Sequence, residues 1–195
     1  MTPHAVVKVG GSLFCWEHFP TRLAHFLSFR CGQRLVLIAG GGPAADLIRE
    51  MDSRLALGNE RAHALALRAL DLTARIVTAL SEEFVMVDNP RDFSAAWSAG
   101  QTPVLAPRAF LDAHDPEPLP PSWDVTSDSI AARVAHLLRA RELVLLKSAP
   151  LPPRVDRDEA ARLGLVDPAF PEISSRLARV FYVNLREPDA RAVAL

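Results

Sequence analysis

Lysine is almost missing from this chain. Of its 22 basic residues only Lys8 and Lys147 are lysines, and the remaining 20 are arginines. Cysteine is nearly as scarce: Cys15 and Cys31 have no C-x-x-C spacing, which fits free thiols in a reducing compartment, with a disulfide between them the lesser alternative. Long apolar runs are absent too. None reaches the roughly 18 residues that a membrane helix needs, and the first residues enter a strand without a signal-peptide pattern, so a cytoplasmic protein is expected. A large charge excess is also lacking: the net charge is −1, which removes bulk attraction to nucleic acid. There is no G-x-x-x-x-G-K-S/T loop, no G-x-S-x-G elbow and no H-E-x-x-H pair. A Walker-type nucleotidase, a serine hydrolase and a metalloprotease are therefore disfavoured. No internal repeat is visible.

What is present is ordinary globular composition, 49% hydrophobic and 23% charged over 195 residues, enough for one domain spanning 1–195. Short apolar runs alternate with helical periodicity. Strands are expected at Val6–Val9, Arg34–Ala39, Glu83–Val87, Thr102–Leu105, Glu142–Lys147 and Val180–Asn184. Helices are expected at Glu17 to about Phe29, Ala44–Leu57, Asn59–Leu80, Asp92–Ser98, Ser129–Arg141, near Arg157–Leu163, and Pro171–Arg179. The acidic, proline-rich Asp112–Ser122 stretch reads as a loop, and the residues after Asn184 as a frayed tail. Alternating strands and helices imply parallel pairing, hence a three-layer α/β/α sandwich around a mainly parallel sheet.

Both lysines fall in strand-like runs, Val6-Val7-Lys8-Val9 and Leu143-Val144-Leu145-Leu146-Lys147, where a solvating charge is least expected. An ammonium is a compact donor that guanidinium does not replace at a tight phosphate site. Glycines follow: Gly10-Gly11-Ser12 after the first strand and Gly40-Gly41-Gly42-Pro43 after the second. Such strand ends expose backbone N–H groups to an anion, though a Gly-Gly step can equally be a plain tight turn. Asp124 and Asp128 flank the start of a helix, where an aspartate can also be a simple cap, with Thr126 or Ser127 as further cap candidates. Arg68 and Arg75 lie seven apart on one helix and are either an acceptor-phosphate contact or a solvated face. The histidines show no metal-ligand spacing.

Taken in order, Lys8-Val9-Gly10-Gly11-Ser12, Gly40-Gly41-Gly42-Pro43, Asp124-Val125-Thr126-Ser127-Asp128-Ser129-Ile130-Ala131-Ala132 and Leu145-Leu146-Lys147-Ser148 resemble the amino acid kinase superfamily. That group includes acetylglutamate, aspartate and uridylate kinases. The Leu70–Leu80 helix and the Gly164–Glu172 stretch look most like its small single-domain branch, which includes the kinase acting on an aminomethylfuran-methyl phosphate in methanofuran biosynthesis. The resemblance implies an ATP-dependent kinase with a phosphate or carboxylate acceptor. It implies Lys8 and Lys147 as catalytic cations, with Asp128 orienting both. Gly10, Gly11 and Ser12 would bind the nucleotide phosphates, and Gly40, Gly41, Gly42 and Asp124 the acceptor. Mg²⁺ would arrive on the ATP, with no metal-binding residue of the chain's own. It implies a small-molecule substrate and a homo-oligomer, for which the Asn59–Leu80 helix is the candidate interface.

One departure stands out. Ser148–Asp156 replaces the Thr-x-Val-Asp-Gly segment common after the lysine strand, which puts the nucleotide preference in question. A non-catalytic nucleotide- or oxyanion-binding protein on the same fold is the alternative. A Rossmann-type site fits poorly, because Ala45 stands where its third glycine belongs.

Overall fold

The apolar runs assemble into one sheet in the computed structural model, which describes residues 2–195. Its strands are β1 (Ala5–Val9), β2 (Leu35–Ala39), β3 (Phe84–Val87), β4 (Thr102–Leu105), β5 (Glu142–Lys147), β6 (Val180–Asn184) and β7 (Val193–Ala194). They lie in the order β3-β4-β2-β1-β5-β6-β7. Strands β1 to β6 run parallel and β7 pairs antiparallel with β6. The central strands are apolar on both faces because helices cover both, as a parallel sheet requires. The helices are α1 (Phe19–Ser28), α2 (Gly42–Leu55), α3 (Asn59–Thr78), α4 (Phe93–Ser98), α5 (Pro107–His114), α6 (Ser127–Leu137), α7 (Arg157–Arg162) and α8 (Phe170–Ser174).

Two apolar clusters fill the space on either side of the sheet. Val7, Val9, Leu37 and Leu146 face Leu13, Phe19 and Leu23 together with Ala74 and Val77 of α3. Val6, Ile38, Leu143 and Leu145 face Phe110 of α5, Ala131, Ala132, Val134 and Ala135 of α6 and Phe170 of α8. Side chains alternate along a strand. Lys8 shares the parity of Val6, and Lys147 that of Leu143 and Leu145, so both lysines point to the α6 face. β1 sits where the chain turns from β2 on one side to β5 on the other, and the carboxyl ends beside such a crossing form a crevice.

The three-layer architecture agrees with the sequence reading, and several boundaries do not. Residues 107–114 form α5, which takes Asp112, Ala113 and His114 out of the expected loop. Pro107 opens this helix and buried Phe110 anchors it, a signal masked by the prolines that follow. The expected Pro171–Arg179 helix stops at Ser174. Arg157 stops it by donating to the carbonyls of Ser174 (2.6 Å) and Leu177 (2.9 Å). The expected frayed tail supplies β7, locked by Leu195 N–H donating to the Val180 carbonyl at 3.0 Å. Cys15 and Cys31 are both free and exposed, so no disulfide joins them.

Candidate active site

Three elements bring three charges to one point. β1 supplies Lys8, β5 supplies Lys147, and the first turn of α6 supplies Asp128. Lys8 Nζ lies 2.9 Å from Asp128 Oδ1, and Lys147 Nζ donates to Asp128 Oδ2 at 2.7 Å. The side chains are 4%, 13% and 6% exposed for Lys8, Lys147 and Asp128, so this is a buried ion triad. Lys147 makes an aligned hydrogen bond, whereas Lys8 stands close as an ion pair without satisfying Oδ1. Burial works against the Asp128 carboxylate, but the two ammonium charges overcome it and hold its pKa down at about 2. Burial pulls Lys147 down to about 8, against the attraction of Asp128 and with Lys8 adding repulsion. Two cations against one anion leave the triad itself net positive, with Asp167 acting on Lys147 as a second anion from outside it. An excess of this kind is costly and is relieved by a bound anion.

The aspartate is no helix cap. Thr126 occupies the cap position and makes no side-chain cap bond, because its hydroxyl donates to Asp167 at 2.8 Å. The two glycine turns behave differently from the expectation of backbone left open for ligands. Gly10 N–H donates to the Leu146 carbonyl and Gly40 N–H to the Val9 carbonyl, each at 2.8 Å, so both continue the sheet. A Cβ on Gly11 would overlap the backbone N of Gly42, and one on Gly40 would lie 2.7 Å from Gly11 N. Gly42 also has φ +50. These glycines let the turns pack backbone against backbone; Gly11, Gly41 and Gly42 also border the cavity described next. Ser12 Oγ lies 2.7 Å from Ser148 Oγ and ties the first turn to the loop after β5.

A cavity of about 170 Å³ opens beside the triad. Gly11 and Ser127 border it, although none of the three charged side chains does. Its walls are Gly42, Ala45, Asp46 and Arg49 from α2, and His63, Ala66, Leu67 and Leu70 from α3, closed by Ser122, Trp123, Val125 and Ile130. Both helical sets repeat at i, i+3, i+4 and i+7, one helix face each. Arg49 places its guanidinium 4.6 Å from the Trp123 ring centre, and Trp123 Nε1 donates to Asp52 Oδ2 at 2.8 Å. Burial lowers the His63 pKa, which favours its neutral form.

The expected site residues divide accordingly. Lys8, Asp128 and Lys147 meet; Gly10 packs against Leu146 and Lys147, Gly40 against Gly11 and Ser127, and Ser12 meets Ser148, while Gly11, Gly41 and Gly42 border the cavity. Asp124 is exposed and lines no part of the cavity. Arg68 and Arg75 are exposed on α3, away from the wall. No role was expected of Asp46, Arg49 or Trp123 from sequence, and His63 was grouped with the histidines that show no metal-ligand spacing. The i, i+3, i+4, i+7 stripe running on from Gly42 was the signal that could have found the first two. Among the described residues no group of three or more His, Cys, Asp or Glu is placed to hold a metal. No helix among them is long and apolar enough to cross a membrane.

The chain is similar to known proteins in sequence and in fold. The family model of the amino acid kinase family matches residues 4–151. A curated relative, (5-(aminomethyl)furan-3-yl)methyl phosphate kinase of Methanocaldococcus jannaschii, is 24% identical over 94% of this chain and 89% of its own. Among solved structures, UMP kinase from Ureaplasma parvum matches with TM-score 0.65 and 13% identity, over 97% of this chain and 93% of that one. Aspartate kinase from Synechocystis matches with TM-score 0.67 and 14% identity, over 97% of this chain and 40% of that longer one. At these identities the structures report the shared α/β fold.

Proposed function

Because the chain belongs to the amino acid kinase family, and is thereby a phosphotransferase, we propose that Lys8, Asp128 and Lys147 carry its phosphoryl transfer from ATP to a small phosphorylated acceptor. Residues 1–195 work as one kinase domain in this reading. Support comes from the buried triad itself: two ammonium groups share one carboxylate and leave a net positive charge at the carboxyl ends of β1 and β5. In the transfer an acceptor oxygen attacks the γ-phosphorus, the bond to the β-phosphate oxygen breaks, and ADP leaves. Charge spreads over the oxygens in flight. Lys8 and Lys147 neutralise that charge, and Asp128 keeps both ammonium groups aimed. A phosphate or carboxylate acceptor is already a nucleophile, so no general base is needed. In this reading the nucleotide phosphates meet the Gly10-Gly11-Ser12 turn at Gly11 and Ser12, since Gly10 N–H already donates to the Leu146 carbonyl. Mg²⁺ supplies further charge neutralisation when bound, and it arrives on the ATP, since Asp128 is already committed to both lysines.

The cavity between α2 and α3 takes the acceptor, bordered by Gly41 and Gly42. Its apolar floor of Ala45, Leu67 and Leu70 suits a small ring. Arg49 provides a cation for a phosphate, and Asp46 an anion for an amine. An aminomethylfuran-methyl phosphate, the substrate in the curated relative's name, has those three parts and would place the enzyme in methanofuran-type biosynthesis. The protein works in the cytoplasm, as a homo-oligomer joined through α3.

The test is a coupled ADP-release assay on the full chain with ATP–Mg²⁺ and that phosphate, set beside UMP and aspartate. Transfer to the furan phosphate is expected. Lys8→Ala should lose at least about a thousand-fold in kcat, with no rescue by Lys8→Arg. Arg49→Ala should raise the acceptor KM about ten-fold. Full activity in Lys8→Ala would overturn the site, and preference for UMP or aspartate would overturn the acceptor.

A further inference from the structure

The stretch Gly164-Leu165-Val166-Asp167-Pro168-Ala169-Phe170 supplies none of the groups assigned above, yet it holds a buried carboxylate. Asp167, between α7 and α8, is 6% exposed. Its flanks are anchored in the core by Val166 and Phe170. The carboxylate is spent on the start of α6. Oδ2 accepts from Thr126 N at 3.0 Å, from Thr126 Oγ1 at 2.8 Å and from Ser129 N at 3.0 Å. Oδ1 accepts from Ser129 Oγ. Ala169 N–H donates to the Asp124 carbonyl at 3.1 Å. The segment therefore grips residues 124–129 at both ends, with Asp128 inside the grip.

A side-chain oxygen accepting from the third helical N–H is normally the helix's own cap. Here the cap comes from another element, some 40 residues on. A cap from the same chain segment would stabilise α6 wherever it lay. A cap from the α7–α8 connection fixes α6 against the rest of the fold, and so fixes how far Asp128 reaches toward β1 and β5. Transfer chemistry is sensitive to such placement, since about 1 Å of error can cost about a hundred-fold in rate.

We propose that Asp167 is a positioning residue for phosphoryl transfer: it sets the first turn of α6 so that Asp128 meets Lys8 and Lys147 together. This rests on the reading of those three residues as the transfer site. Asp167 also adds a second negative charge near the cations. The charged groups acting on Lys147 are Asp128 from α6, Lys8 from β1 and Asp167 from this segment. Tyr182 on β6 stays neutral, since burial and the Asp128 charge push its phenol up to about 12. Asp167 raises the Lys147 pKa, which burial otherwise lowers to about 8. Neutralising Asp167 therefore moves the Lys147 titration to lower pH, and loosening Asp128 moves it the same way.

The two lysines make the test direct. Full-length protein grown with labelled lysine gives two side-chain NMR signals, assigned with Lys8→Arg. They are followed from pH 6 to 11 in wild type and in Asp167→Asn, well below each protein's melting temperature. Steady-state transfer from ATP to the furan phosphate runs in parallel. The Lys147 midpoint should fall by at least about half a pH unit in Asp167→Asn, and kcat by about ten-fold or more, with KM for ATP within about two-fold. Asp167→Glu should restore part of both. If Asp167→Asn does not fold, Ser129→Ala, which removes one donor to the carboxylate and keeps its charge, is read by kcat alone: a fall supports the positioning role and an unchanged kcat overturns it. A lowered melting temperature with unchanged Lys147 midpoint and kcat would overturn the proposal and leave a purely structural cap. Retention of activity in Lys8→Ala would instead sink the site reading beneath it, so the two failures are distinct.

Discussion

At the residue scale the chemistry turns on one carboxylate held between two ammonium groups. Asp128 is depressed from 3.8 to about 2 in the folded protein. A depressed carboxylate contributes stability that is fully present above its unfolded pKa and is lost as pH falls through the folded one. The window is therefore pH 4 to 2, and the contribution is on the order of 2 kcal/mol. Urea unfolding of wild type should lose that amount across the window, beyond the loss in Asp128→Asn. The variant itself should be weaker by about 3 kcal/mol at neutral pH, because it leaves two buried cations unpaired. Parallel pH dependence in the two proteins would refute this assignment. Lys8 and Lys147 were legible in the sequence because lysine is rare here and both fall inside buried strand runs. Arg49 was not legible. It is one arginine among 20, and only its place on α2 above Trp123 distinguishes it.

At the element scale the deciding contact is between two turns. The first glycine turn and the start of α2 meet backbone to backbone, so their glycines form a joint. Gly11→Ala must push Gly42 away, shifting the start of α2 and with it the Asp46–Arg49 face of the cavity. It should cost about 2 kcal/mol or more and most of the kinase activity. Gly58 provides the control. It has φ +84 and ψ 156 with nothing near its missing Cβ, so Gly58→Ala should carry backbone strain alone, on the order of 1–3 kcal/mol, and keep activity. Urea midpoints and ADP release on both variants check this, and equal behaviour would remove the joint from the explanation. Similar logic explains the helix ends that sequence reading misplaced. Arg157 ends α8 and Asp167 begins α6, each from a distant stretch, and a local pattern holds no trace of either.

At the scale of the whole molecule the sheet is covered on both faces, yet α3 still shows Leu65, Leu72 and Ile76 to solvent, between 37% and 53% exposed. Those positions follow one side of the helix, opposite the buried Leu70 and Ala74. Such a stripe fits the proposed association between copies of the chain. Size-exclusion chromatography with light scattering should give an assembly for wild type and a monomer for the double variant Leu72→Arg, Ile76→Arg. A monomeric wild type would end the proposal. The acceptor cavity is bordered by the other side of the same helix, through His63, Leu67 and Leu70. Loss of assembly is therefore also expected to raise the acceptor KM.

The sequence by itself determined the alternation of strand and helix, the parallel sheet, and the two lysines beside glycine turns. These rest on local periodicity and on residue rarity, both of which are written along the chain. The resemblance already set Asp128 between the lysines; tertiary structure alone decided that Asp124 stays exposed. Both lie within one helix turn of the α6 start, and only packing against β1 and β5 separates them. Tertiary structure also decided that the glycines hold each other, that Arg49 and His63 share a cavity, and that Asp167 grips α6. Each of these depends on which distant segments meet, and that is settled when both faces of the sheet are covered at once.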